Sequence, residues 1–178
     1  LNPVQPNVKR LQEAPIHVDR NSTTAGQLGV SHIRVVEQAT NGSLPAGTEF
    51  GLQYDNVQAT TYVDELLKSV RNPPVRDFHA RFLASKEGTV NFQLGAWRFI
   101  VAYTARADGR RLILTPTRAV AQVLNIRGSN YGWVRVPIGL VRPFTDWAQQ
   151  QLDDATTHIW FKSVDIRENS LRIEMVTR

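Results

Sequence analysis

The chain has 178 residues, of which 42% are apolar and 21% are charged. One domain is expected at this length, and these fractions exclude collagen-like, disordered and coiled-coil chains. The sequence contains no Cys, which excludes disulfides, zinc–thiolate centres and iron–sulfur clusters.

The chain is basic, because 21 Lys and Arg outnumber 16 Asp and Glu and give a formal net charge of +5. Arg predominates, and its planar guanidinium makes bidentate contacts with phosphate and carboxylate groups. Such a surface fits a nucleic acid, an anionic lipid or an acidic protein face. A basic surface without any partner explains the composition equally well, because the charges are spread along the chain.

Residues 1–27 are predicted to be an N-terminal arm or linker. They are polar, they carry Pro3, Pro6 and Pro15, and they show no periodic apolar face. Residues 28–178 are predicted to form a single α+β domain.

The predicted domain begins with strands and continues with a helix. Residues 28–36 are β-branched and partly alternating, which is typical of a strand, and a second short strand is predicted over 48–52. A helix is predicted over 57–70, where Tyr62, Val63 and Leu67 fall on one face. The prolines that follow end it, because proline disfavours helical geometry in the residue before it.

A long meander follows the first helix. Apolar and polar residues alternate over 75–84, 90–94 and 97–105, which predicts three strands with one buried face each. Asp108-Gly109 is a strong signal for a hairpin turn. The return strand is predicted from Leu112 to Ile126, with Pro116 at an edge, a bend or the strand's end.

A short strand over 133–138, a second helix over 143–155 and a closing pair of strands complete the order. Pro143 suits the first position of that helix, whereas Asp153 and Asp154 lie unfavourably near its negative end. The last strands are predicted at 159–167 and 171–175. Tight turns between strands favour antiparallel pairing. The predicted fold is therefore α+β, a curved and mainly antiparallel sheet with two helices packed on one face.

The sequence offers little for catalysis. The four His residues do not have the spacing of metal ligands, and neither a Gly-x-Ser-x-Gly elbow nor a phosphate-binding Gly-rich loop is present. The acidic residues are explained as caps, turn residues or solvated helix positions. We therefore expect no catalytic residue, no metal site and no cofactor, and we expect that the protein is not an enzyme.

The aromatic residues are the most suggestive feature, because several alternate with Arg. Side chains of Trp97, Phe99 and Tyr103 share one face of a predicted strand. The candidate ligand-binding residues are Trp97, Phe99, Tyr103, Trp133 and Trp147, and the candidate contacts to an anionic group are Arg98, Arg135 and Arg142. Simple alternation, with apolar side chains in the core and charged ones outside, explains the same spacing without a ligand. Trp160-Phe161 is a separate signal, because the two rings must point to opposite faces of a strand.

From Leu44 to Arg178 the order of elements resembles that of the tubular lipid-binding (TULIP-like) proteins of bacterial envelopes. The resemblance rests on the helix at 57–70, the sheet run Trp97-Arg-Phe-Ile-Val-Ala-Tyr103, the helix at 143–155 and the closing strands through Ile173. It implies a curved antiparallel sheet around a helix, an apolar groove that binds or carries lipid, and a location in the bacterial envelope or periplasm.

Three functions remain open from the sequence. The first is a non-catalytic domain that binds lipid or another apolar ligand at a membrane surface. The second is a structural or assembly protein, as in a capsid or envelope complex, whose arm reaches a neighbouring subunit in an oligomer. The third, ranked below these, is a binder of single-stranded nucleic acid that uses Arg and stacked aromatic rings.

Overall fold

The computed structural model of the chain describes residues 46–69, 71–73, 75–123 and 132–178. The predicted arm at 1–27 and the predicted strand at 28–36 lie outside these ranges. Within them the chain forms eight strands and two α-helices in the order that follows. These are β1 Glu49–Tyr54, α1 Asn56–Ser69, β2 Arg76–Phe82, β3 Gly88–Leu94, β4 Trp97–Ala107, β5 Leu112–Val123, β6 Val134–Val136, a 3₁₀ turn Ile138–Leu140, α2 Arg142–Ala155, β7 Ile159–Arg167 and β8 Ser170–Thr177.

The prediction of an α+β fold with antiparallel strands and two helices is confirmed. The strands divide between two sheets, a small sheet in the order β1-β8-β7 and a large sheet in the order β2-β3-β4-β5-β6. Consecutive strands of the large sheet are antiparallel neighbours, as short turns require. The small sheet closes differently, because β1 pairs with β8 and not with its neighbour along the chain.

The two sheets share one hydrophobic core. Phe50 of β1 and Met175 of β8 form a directly opposed pair on the inner face of the small sheet, and both are buried. They belong to the same cluster as Phe92 and Val101, which are buried in the large sheet. The sheets are also joined through the backbone, where the Phe161 N–H donates to the Gly109 carbonyl at 2.8 Å.

Helix α1 lies along the outer edge of the large sheet at β2. The Asn56 side chain accepts a hydrogen bond from the Phe82 N–H at 2.7 Å, and the Thr60 hydroxyl accepts one from the Ala80 N–H at 2.9 Å. An unpaired strand edge exposes a row of such donors, and covering it with a helix is one way of protecting it. Helix α1 thus does at this edge what a further strand would do.

Helix α2 does the same for β5 beyond the end of the short strand β6. Gln149 accepts a hydrogen bond from the Leu114 N–H and donates one to the Leu112 carbonyl, both at 3.0 Å. Its amide therefore reproduces the donor and acceptor of a paired residue. The neighbouring Pro116 lies at a register shift opposite Tyr103, in agreement with its predicted place at an edge or bend.

Candidate ligand-binding surface

Four successive ring contacts link the large sheet to helix α2. The ring centroids of Trp97 and Phe99 are 6.4 Å apart, and those of Phe99 and Phe92 are 5.7 Å apart. Phe92 is in turn 4.0 Å from Phe144, which is 6.2 Å from Trp147. We call these five residues the aromatic stack, Trp97–Phe99–Phe92–Phe144–Trp147. It contains three of the five ligand-binding residues that were predicted from the sequence.

Exposure changes steeply along the aromatic stack. Phe92 is fully buried and Phe99 is buried, so both are part of the core. Trp97 stands at the end of the stack with 43% of its surface exposed. Its indole is therefore held from one side by packed rings and open to solvent on the other.

More exposed apolar side chains lie in the segment that contains β6 and the 3₁₀ turn. Trp133 is 42% exposed, and Val134 and Leu140 are exposed as well. Val134 is paired with Ala121, which is paired with Phe99, so Val134 and Trp97 lie on the same face of the large sheet. We call Trp97, Trp133, Val134 and Leu140 the apolar surface.

The three nominated arginines are not equivalent. Arg98 lies on the opposite face of β4 from Trp97 and contacts Asn91 at 3.0 Å and Asp77 at 3.5 Å. Arg135 in β6 and Arg142 at the start of α2 are exposed, and neither forms an ion pair within the described ranges. Arg135 is paired with Val120 and so points to the opposite face of the large sheet from Val134. Arg142 follows Leu140 closely in the chain, while Arg98 is already engaged.

Tyr103 lies away from the apolar surface. It is paired with Gly88 across β3 and β4, and its ring occupies the space that a Cβ at Gly88 would need. Burial raises the pKa of Tyr103 to about 12. Its hydroxyl is thus kept neutral inside the fold.

The structure also contains a second candidate site, which the sequence did not predict. A pocket of about 320 Å³ is lined by Arg110, Arg111, Asp153, Thr156, Thr157 and Arg178. The guanidinium carbons of Arg110 and Arg178 lie 5.6 and 4.9 Å from the centre of the Trp160 ring, which is 38% exposed. We call this the arginine pocket.

An ion pair orders one wall of the arginine pocket. Arg111 Nη2 is 2.7 Å from Asp153 Oδ2, and its Nε donates to Oδ1 at 3.2 Å. Partial burial raises the pKa of Asp153, but hydrogen bonds from Arg111 and Gln149 outweigh this and the net pKa is lowered. The hydrogen bond from Arg111 to Asp153, helped by their attraction, raises the pKa of Arg111.

Two signals in the sequence pointed toward the arginine pocket. Asp153 was unfavourably placed near the negative end of its helix, and its partner is Arg111 in the turn between β4 and β5. Trp160 and Phe161 were expected to point to opposite faces of a strand. In the structure Phe161 is buried, and the two guanidinium groups lie over the Trp160 ring. Neither signal identified the residues that meet there, because they come from separate segments.

In the described part of the chain no cluster of His, Asp and Glu is suited to hold a metal ion. No helix there combines the length and apolar character needed to cross a membrane. No family model, curated protein or solved structure matches the chain.

Proposed function

We propose that the protein is a non-catalytic domain that binds an anionic lipid surface through its apolar surface. The main observation in support of this proposal is that the Trp97 indole is 43% exposed at the end of a buried aromatic stack. A location at the bacterial envelope goes with this proposal and rests on the resemblance to tubular lipid-binding proteins.

The chemistry of the apolar surface supports a membrane partner. Trp is favoured at membrane–water interfaces, because its ring is apolar while its N–H retains a polar contact. Contiguous exposed apolar side chains mark interaction sites, and Trp97 and Val134 are exposed on the same face of the large sheet. Packing against Phe99 restrains Trp97, so little side-chain entropy is lost on binding.

The flanking charge supports an anionic partner. Arg142 is exposed and follows Leu140 of the apolar surface closely in the chain, and the whole chain carries a net charge of +5. Each basic residue near an anionic membrane contributes about 1 kcal/mol to binding. Attraction of this kind weakens as ionic strength rises.

The test is co-sedimentation of the full chain with vesicles of phosphatidylcholine, with and without phosphatidylglycerol. We expect binding that requires phosphatidylglycerol and falls with salt. V134S should weaken it several-fold, whereas V57S, which changes another exposed valine on helix α1, should not. Arg142→Gln should weaken it further than Arg81→Gln, which removes the same charge from an exposed position of β2.

Absence of binding to either vesicle would refute the proposal. An oligomer that dissociates on V134S, measured by native mass spectrometry without lipid, would instead support the assembly function. Equal losses in V134S and V57S would show that the apolar surface has no special role.

A further inference from the structure

The arginine pocket lies far from the apolar surface. Arg110 and Arg111 follow the turn at the end of β4, whereas Trp97 begins that strand. Eleven extended residues span about 36 Å at roughly 3.3 Å each. The pocket therefore stands as a separate site, and its inference does not depend on the proposed function.

The lining of the arginine pocket has an excess of positive charge. Three arginines face one aspartate, and that aspartate is already bonded to Arg111 and Gln149. Arg110 and Arg178 form no ion pair within the described ranges. Neither guanidinium group therefore has an acidic side chain as its partner among the described residues, although Arg178 Nη2 lies 3.5 Å from the Arg110 carbonyl.

The guanidinium groups of Arg110 and Arg178 both lie over the Trp160 ring. A guanidinium stacked on an aromatic ring uses its flat face, so its N–H donors remain available in its own plane. The turn leaves little room beside the ring, since a Cβ at Gly109 would lie 3.7 Å from it. Arg110 and Arg178 are therefore oriented before any ligand arrives, which lowers the entropic cost of binding.

The rest of the lining adds a neutral donor around an open volume. The exposed Thr157 hydroxyl makes no hydrogen bond among the described residues, whereas that of Thr156 is bonded to the Leu152 carbonyl at 2.7 Å. The volume of about 320 Å³ is at the lower end of the range for small-molecule sites. It exceeds what a bare oxyanion fills.

We propose that the arginine pocket binds the phosphate group of a small organic phosphomonoester, with Arg110 and Arg178 as its main donors. Planar guanidinium groups recognise phosphate oxygens bidentately. Arg111 contributes charge and, through Asp153, fixes the wall of the pocket. The phosphate could belong to a soluble metabolite or to a lipid headgroup such as phosphatidic acid.

The test is calorimetric titration of the full chain with glycerol 3-phosphate, with glycerol as the uncharged control. We expect saturable binding of the phosphate ester and none of glycerol. Arg110→Gln and Arg178→Gln should each weaken binding about tenfold. Arg81→Gln removes the same charge from an exposed position of β2 and should leave binding unchanged.

A second arm uses vesicles containing phosphatidic acid, with the native chain and with V134S, which leaves the pocket intact. Binding of glycerol 3-phosphate identifies a soluble ester as sufficient. Binding of phosphatidic acid alone, lost in Arg110→Gln and retained in V134S, identifies the headgroup. The proposal is overturned if neither probe binds. It is also overturned if Arg81→Gln weakens binding as much as Arg110→Gln while all variants have the same unfolding temperature as the native protein.

Discussion

Tyr103 and Gly88 show how one residue can determine what its neighbour must be. The tyrosine ring lies across the opposite strand at the position where any other residue would place its Cβ. Glycine is therefore required here for the space it leaves and not for an unusual backbone angle. Gly88 begins β3, so this requirement belongs to a strand and not to a turn.

Replacing Gly88 by Ala should destabilise the fold by about 1–3 kcal/mol, because the added methyl group overlaps the Tyr103 ring. Urea unfolding measures the loss. Gly139→Ala is the matched control, since a Cβ at that position meets no atom within 4 Å. Adding Tyr103→Val to G88A should restore part of the stability, and a loss unchanged by that second substitution would contradict the overlap.

The raised pKa of Tyr103 gives the fold an alkaline dependence. Below pH 10 the tyrosine is neutral in the folded and unfolded states, and its contribution to the free energy of folding is fully present. Between pH 10 and about 12 the unfolded state ionises first, which costs up to about 3 kcal/mol of folding free energy at 1.36 kcal/mol per pKa unit. The free energy of unfolding of Tyr103→Phe should fall less over this range, and parallel curves for the two proteins would refute this.

At the scale of elements, both helices complete the large sheet at its edges. Asn56 and Thr60 of α1 bond the edge of β2, and Gln149 of α2 bonds the edge of β5. The helices could be predicted, because the apolar spacing and the prolines give their bounds to within a residue. Their docking could not, because a glutamine on a helix gives no sign in the sequence that it will pair with a strand.

Gln149→Leu should lower the free energy of unfolding by about 1–3 kcal/mol, because it leaves a strand N–H and a carbonyl without partners. Gln150→Leu is the control, since its amide reaches only Asp154 at 3.5 Å on the exposed side. Amide exchange at Leu114 should accelerate in the first variant alone. Equal losses in the two variants would mean that the bonds of Gln149 contribute nothing.

For the molecule as a whole, the aromatic stack connects the large sheet, the core and α2. Alternation along β4 was enough to predict that Trp97 and Phe99 share a face. It could not separate core from surface, because Phe99 is buried and Trp97 is 43% exposed although both lie on the same face. The arginine pocket escaped prediction for a related reason, because its lining comes from the β4–β5 turn, the end of α2 with the turn after it, and the residue after β8.

Phe99→Ala should destabilise the whole molecule by about 3–5 kcal/mol, because it removes a ring from the buried centre of the stack. Trp97→Ala should cost less, since nearly half of that side chain is already in water. Thermal and urea unfolding of both variants provide the measurement. The reverse order of losses would place the centre of the core elsewhere.

The pairing of β1 with β8 also bears on how the protein is made. Thr48 and Thr177 are bonded across 129 positions of sequence, so the small sheet joins the first and last described strands. Synthesis runs from the N-terminus at about 5–20 residues per second, and β1 must wait for β8 to leave the ribosome. During that interval Phe50 and Leu52 have no strand beside them. We expect nascent chains arrested before β8 to be sensitive to protease and to recruit chaperones, and chains extended beyond it to become resistant.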